Sequence, residues 1–267
     1  MRGWTWLLCG AAFLPPAVGA QSRDIVTLAP REGVTLSYFV GDMGGRKPEA
    51  VALLFSGGGG NIRLRMENGE PRFAPGNFLI RARGEFIRNG IQPILVDNPS
   101  DQQAGQGMTD GFREGAAHLA DVRAVLADVR RRLPGLPVFL VGTSRSTISI
   151  AHLGRAMTPG SDVDGIVLTS SLFLQGRRPV LASFDFPAIR LPLLFVHHRE
   201  DACTSTPYHE AARLSPPFPL VSVRGGKPPE SGPCDPFAAH GYFGREAETV
   251  AAIAAWMLKK PYPKDID

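Results

Sequence analysis

Serine, histidine and aspartate can together build a nucleophile without a metal, and one serine of this chain sits where its hydroxyl would be exposed on a sharp bend. Ser144 lies in Gly142-Thr143-Ser144-Arg145-Ser146, between the apolar run at 138–141 and the small or apolar Ile148, Ile150, Ala151 and Leu153. The run is β-branched at both ends and reads as a strand buried on both faces, while the following residues suit a helix packed on a sheet. Positions two before and two after a nucleophile on such a turn must be small, because the strand and helix backbones nearly touch there. Gly142 and Ser146 meet that requirement. The same five residues equally suit a helix opening, since serine is a favoured cap. A serine hydroxyl also needs a base within hydrogen-bond reach and an acid to orient that base, so the rest of the chain must decide.

A second feature with chemical potential is Ser56-Gly57-Gly58-Gly59-Gly60-Asn61, at the end of the apolar run 50–55. Four glycines lose much entropy on folding. A loop that keeps them needs its backbone close to something, or N–H groups aimed where a side chain would intrude. A dinucleotide loop is the rival reading, with Asp97 as the ribose-binding acid, and a flexible linker is a third. Asp97 lies about forty residues on rather than about twenty, and G-x-G-x-x-G is not cleanly kept. No G-K-[ST] follows, which excludes a P-loop.

The elements that must hold these groups read as one α/β domain. With 267 residues, 43% of them hydrophobic, the chain can bury a sizeable core. The net charge of +4 is spread along the chain and gives no cue for nucleic acid. A hairpin is expected over 24–41, then a strand at 50–55, a helix carrying Phe78, Ile80, Phe86 and Ile87, and a strand at 91–96. The polar stretch 98–111, with Gln102, Gln103, Gln106 and Met108, is either pocket lining or surface. Leu119, Val122, Leu126, Val129 and Leu133 recur at helical spacing from Phe112 onward, until Pro134-Gly135 stops the helix. Strands follow at 166–169 and 193–196, too close together for a large lid, and a last helix at 245–258 turns Val250, Ile253 and Met257 inward.

Residues 1–20 carry an early cation, Arg2, an apolar stretch at 4–14, and the small residues Val18-Gly19-Ala20. They read as a cleaved secretory leader, leaving 21–267 as the domain in the periplasm or outside the cell. A membrane anchor is disfavoured by the short apolar run and by Pro15-Pro16, and a lipidated Cys9 by the bulk of Leu8. Beyond the leader Cys203 and Cys234 remain, and an exported pair is expected to oxidise. Such a disulfide closes a loop of about thirty residues and stabilises by about 3 kcal/mol on the chain-entropy model. A zinc site with His209 or His240 is the alternative, without a compact C-x-x-C spacing to support it.

Taken together, these features resemble the α/β-hydrolase superfamily across almost all of the mature length. That family places its nucleophile on a G-x-S-x-G elbow, here with Ser146 for the last glycine, and a Gly-rich loop after the third strand donates an oxyanion N–H. More narrowly, GTSRST, VDNPSD and HHREDAC are similar to the GTSRGT-like elbow, VD-x-PSD strand end and HHR-x-DAC segment of a group of exported bacterial hydrolases. The resemblance implies a mostly parallel central sheet with helices on both faces and little or no lid. It implies the order nucleophile, acid, base, which falls on Ser144, Asp201 and His240. Gly58 or Gly59, with Arg145, would supply the oxyanion N–H groups. Asp97, Asp164 and Asp185 are alternative acids; His118, His152 and His209 fall on helices, where packing or surface roles are usual. Met108, His197 and His198 are candidates for substrate contact, the two histidines preceding the acid and so being out of order for the base. The disulfide would tie the acid's loop to the base's loop. The implied activity is a secreted serine hydrolase acting on small-molecule or polymer carboxylic esters through an acyl-enzyme. No metal, organic cofactor, nucleic acid or stable membrane insertion is called for. A peptidase or amidase on the same residues, and a non-catalytic binding protein on a hydrolase scaffold, are the alternatives.

Overall fold

All six residues of Ala50–Phe55 are buried, and their side chains enter two different cores in alternation. Val51, Leu53 and Phe55 join one cluster and Ala50, Ala52 and Leu54 the other, the arrangement of a strand covered on both faces. The computed structural model describes Met1 and residues 24–74 and 76–267, so the expected leader, Cys9 included, lies outside the described residues apart from Met1.

Among the described residues the central sheet has nine strands: β1 (Ile25–Arg31), β2 (Val34–Val40), β3 (Ala50–Phe55), β4 (Ile91–Val96), β5 (Val138–Thr143), β6 (Gly165–Thr169), β7 (Leu193–His198), β8 (Leu220–Val223) and β9 (Asp265–Ile266). Their order is β1-β2-β4-β3-β5-β6-β7-β8-β9. β1 pairs antiparallel with β2, and β2 with β4; every later pairing in the sheet is parallel.

Among the described residues seven helices complete the frame: α1 (Phe78–Arg81), α2 (Arg83–Arg88), α3 (Asp110–Glu114), α4 (Ala116–Arg132), α5 (Ser146–Ala156), α6 (Tyr208–Leu214) and α7 (Glu246–Met257). Val122, Val125, Leu126 and Val129 of α4, Ile150 and Leu153 of α5 and Ala211 of α6 pack on one face. Phe78, Leu79 and Phe86 of α1 and α2, with Val250, Ile253 and Met257 of α7, pack on the other. The single helix expected from Phe112 is divided, because Gly115 is extended (φ −85°, ψ 163°) between α3 and α4. Between β6 and β7 the chain makes a short ribbon, Leu174–Gln175 with Arg178–Pro179, and two 3₁₀ turns at Leu181–Ser183 and Phe186–Ala188. Nothing in that connection forms a lid over the carboxyl ends of the strands.

One buried group makes this core sensitive to acid. His118 of α4 lies against the rings of Phe55 and Phe112, and neither of its ring nitrogens has a partner among the described residues. Burial first, then the charges of Arg113 and Arg31, push its pKa down to about 3. The unfolded chain takes up this proton near the ordinary histidine value of about 6.5 while the folded chain refuses it, so stability is full above that value and falls as pH drops toward 3. At pH 5 the loss from this residue is about 2 kcal/mol. His118→Phe is expected to narrow the difference in urea midpoint between pH 7 and pH 5; a variant as acid-sensitive as the parent would contradict the assignment.

Candidate active site

The bend after β5 is held under backbone strain. Ser144 stands at φ 54°, left-handed for a residue with a side chain, a conformation that costs about 1–3 kcal/mol unless its surroundings impose it. They do so from both sides. The Ser144 N–H donates to the Thr169 carbonyl of β6 at 3.0 Å, and the Ser144 carbonyl accepts from Thr147 N–H at 3.0 Å. A Cβ on Gly142 would lie 2.5 Å from Ile150 and 3.0 Å from Ser146 Oγ, so strand and helix approach as the small residues foretold. Ser144 is no helix cap, since α5 opens at Ser146.

Ser146 is fully buried where a glycine would be usual. Its Oγ accepts from Thr143 N–H at 2.8 Å and lies 2.7 Å from the Phe55 carbonyl and 2.9 Å from that of Thr143, its single proton serving one of them. The extra hydroxyl therefore ties the bend to the end of β3 instead of distorting it.

The glycine loop that leaves β3 lies directly on this bend: a Cβ on Gly57 would be 3.0 Å from the Thr143 carbonyl and 3.1 Å from Ser144 Cβ. Its first three glycine carbonyls are engaged. That of Gly57 accepts from Gly60 N–H, that of Gly58 from Arg113 Nη2, and that of Gly59 from Met108 N–H and Asn98 Nδ2. The N–H groups of Gly57, Gly58, Gly59 and Arg145 have no acceptor among the described residues. Unengaged N–H groups beside engaged carbonyls suit a developing anion. Asp97, at the end of β4, secures the loop's exit by accepting from the N–H groups of Ile62, Leu64 and Asn98, each at 2.8 Å.

Asp201 and His240 come together from loops after β7 and before α7. His240 Nδ1–H donates to Asp201 Oδ2 at 3.0 Å, with the carboxylate side chain fully buried. Cys203 N–H donates to Asp201 Oδ1 at 2.9 Å, and Thr206 Oγ1–H to Oδ2 at 2.8 Å, while the same hydroxyl lies 3.2 Å from His240 Nδ1. The Cys203–Cys234 disulfide joins the two loops, with a Cα separation of 4.7 Å, and removes both sulfurs from any zinc site. Behind them Ser170 Oγ–H donates to the His240 carbonyl at 2.8 Å. The Tyr242 hydroxyl donates to the Val196 carbonyl at 2.7 Å and accepts from Ser170 N–H at 3.0 Å.

Ser144 and His240 face one cavity of about 320 Å³, shared with Gly57, Gly58, Asn61, Asn77, Phe78 and Pro236. Several sequence candidates lie elsewhere. Gly59 does not line the cavity, because it packs on the 106–107 backbone, where a Cβ would lie 2.3 Å from the Gln106 carbonyl. Met108, His197 and His198, expected as substrate contacts, do not line this cavity. Met108 is buried behind the glycine loop. His197 is buried beneath the site, stacks on Phe173, and accepts from Ser171 N–H at 2.9 Å; burial pushes its pKa down to about 3. His198 braces a loop by donating to the Gly225 carbonyl and accepting from Glu200 N–H. Asp164 accepts from Val138 N–H at the opposite end of the sheet.

Thr206, Asn77 and Arg81 escaped the sequence reading. Asn77 was findable as a cap, since its side chain accepts from Leu79 N–H to open α1. Arg81 bridges the carbonyls of Gly76 and Gly241, two cavity walls, a link between distant segments that no local pattern announces.

The strand order, the antiparallel β1 and β2 beside a parallel sheet, and a strained serine on the bend after β5 define the architecture. The chain has the α/β-hydrolase fold. It superposes on an α/β serine hydrolase homologue from Coxiella burnetii with a TM-score of 0.56 at 13% identity, over 90% of this chain and 97% of that one. An α/β serine hydrolase without a lid from Xanthomonas campestris gives 0.57 at 14% identity, over 90% and 94%. A soluble variant of a monoglyceride lipase from Saccharomyces cerevisiae, in complex with a substrate analog, gives 0.59 at 12% identity, over 92% and 99%. No protein-family model matches the chain, and no curated protein does. The likeness therefore concerns the α/β-hydrolase architecture.

Two variants check these supports. Ser146→Ala leaves Thr143 N–H buried without its partner and is expected to destabilise the protein by about 1–3 kcal/mol in urea unfolding, where an unchanged midpoint would show that the hydroxyl holds nothing. Replacing Cys203 and Cys234 together by serine is expected to lower stability by about 2–4 kcal/mol in the same measurement; no change in the urea midpoint would mean that the bridge does not restrain the chain.

Proposed function

We propose that the protein is an exported serine hydrolase acting on carboxylic esters, with Ser144 as nucleophile, His240 as general base and Asp201 as the acid that orients it. The observation that carries this reading is the buried Asp201–His240 hydrogen bond facing the same cavity as a serine held at φ 54°. With Nδ1–H donated to Asp201, the imidazole keeps Nε2 free to take the Ser144 proton as Oγ attacks the ester carbonyl. The carbonyl oxygen then gains charge, and the donors fitted to receive it are the unengaged N–H groups of Gly58, which lines the cavity, and of Arg145, which follows the nucleophile. His240 returns the proton to the departing alcohol. Water, activated by the same nitrogen, then releases the acid from the acyl-enzyme.

A cavity of about 320 Å³, with Phe78 and Pro236 beside Asn61 and Asn77, suits a small ester or one end of a longer one. The choice of ester draws support from a neighbour in fold that is a monoglyceride lipase. Export is supported by the leader-like residues 1–20 and by the disulfide. Among the described residues no helix is long and apolar enough to cross a membrane.

A fluorophosphonate probe is expected to label the folded protein, and Ser144→Ala to abolish the labelling. Asp201→Asn and His240→Ala are expected to lower turnover of a short-chain p-nitrophenyl ester by about 10³- to 10⁴-fold while the proteins stay folded. A folded parent protein that resists the probe would favour a binding role for the scaffold, and faster turnover of anilides than of matched esters would reassign it as an amidase.

A further inference from the structure

Arg113 of α3 holds the Gly58 carbonyl, and among the described residues it is the largest side chain that is fully buried. Its Nη2 donates to the Gly58 carbonyl at 2.9 Å and its Nη1 to Ser149 Oγ at 3.1 Å, while Nε has no partner. No carboxylate among the described residues is within ion-pair distance of it. Asp110, whose charge reaches it, is itself paired with Arg145 and Arg178. Burying a guanidinium without a counter-ion is strongly unfavourable, so the position needs a compensating role. Burial, then the charge of Arg145, pushes its pKa down to about 10, which still leaves it cationic at neutral pH.

We propose that Arg113 is the positioning residue of the oxyanion site: it fixes the Gly58 peptide and places an unpaired positive charge beneath the oxygen that becomes negative. The proposal rests on the hydrolase reading above. The Gly58 carbonyl and the Gly59 N–H share one planar peptide, so the grip of Arg113 fixes that plane and, through it, the adjoining Gly58 residue whose own N–H is the proposed donor. Glycine has the widest backbone freedom of any residue, and four in succession keep one conformation only if something grips them. The Gly57 and Gly59 carbonyls are gripped by neutral donors, that of Gly58 by a cation. The same guanidinium reaches α5 through Ser149, so it couples the glycine loop to the helix that follows Ser144 and Arg145. A neutral ester gains little from that charge, whereas the tetrahedral oxyanion gains much. The effect therefore belongs in kcat and not in KM.

The test compares the parent with Arg113→Met and Arg113→Lys on a short-chain p-nitrophenyl ester, with active sites counted by end-point fluorophosphonate labelling. For Arg113→Met, kcat per labelled site is expected to fall about 100-fold with KM changed less than about threefold, and Arg113→Lys to recover about tenfold of the loss. Affinity for a trifluoromethyl ketone, which binds as a tetrahedral oxyanion, should fall in step with kcat/KM, while affinity for an ether analogue lacking the carbonyl stays unchanged. A kcat per labelled site within about twofold of the parent, or a loss carried by KM alone, overturns the proposal. Should Arg113→Met fail to fold, Arg113→Lys decides: a selective loss of ketone affinity supports the role, and unchanged ketone affinity with unchanged kcat overturns it. A parent protein that takes up no probe sinks the hydrolase reading and this proposal with it, whereas a labelled parent beside an unaffected Arg113→Met sinks this proposal alone.

Discussion

The left-handed backbone of Ser144 is the constraint around which the carboxyl end of the sheet is built. An L-residue stays at φ 54° only where its neighbours leave no relaxed alternative, and here the alternatives are closed one by one. The Thr169 carbonyl of β6 holds the Ser144 N–H, Thr147 holds its carbonyl, and the close approach of β5 and α5 at Gly142 leaves no room to unwind. Ser146 contributes a further restraint, since its buried hydroxyl joins the bend to β3, the strand from which the glycine loop departs. The proposed nucleophile and the proposed oxyanion donors are thus fixed by one network.

Asp201 and His240 belong to loops, which on their own would drift. A drift of about 1 Å is enough to weaken an imidazole–carboxylate contact and the catalysis that depends on it. The fold answers with redundancy. Asp201 accepts from Cys203 and Thr206 as well as from His240, the disulfide ties the two loops, and Ser170 with Tyr242 fastens the His240 backbone to the end of β7. Ser170 is itself at φ 43°, a second strained residue, at the end of the strand that also supplies the Thr169 carbonyl to Ser144. The two halves of the proposed relay are therefore referenced to the same strand.

Several polar residues near the site serve geometry rather than chemistry. His197 and His198 follow each other at the end of β7, where substrate contact is a reasonable expectation, but period-two alternation sends them to opposite faces and each becomes a brace. Asp97 likewise spends its carboxylate on two backbone N–H groups of the glycine loop's exit and on that of its neighbour Asn98. A buried polar group must be paired, and at the carboxyl end of a parallel sheet the partners nearest to hand are the N–H groups of the loops.

Much of this protein was determined by local chemistry that a sequence displays. The apolar runs of β3 to β7 and the helical spacing of α4 and α7 are one-dimensional signals of burial, because a strand covered on both faces must be apolar throughout and a helix on a sheet must be apolar on one side. The small residues around Ser144 and the glycine run after β3 are local too, since each reports a backbone that needs room. Tertiary structure alone decided which polar groups would meet. Thr206 became a partner of Asp201 and His240, Arg81 a link between two cavity walls, and Arg113 a buried cation under Gly58, whereas Met108 and His197 were turned away. Those outcomes depend on contacts between segments tens of residues apart, whose directions are set by how the loops pack, and no periodicity along the chain encodes them.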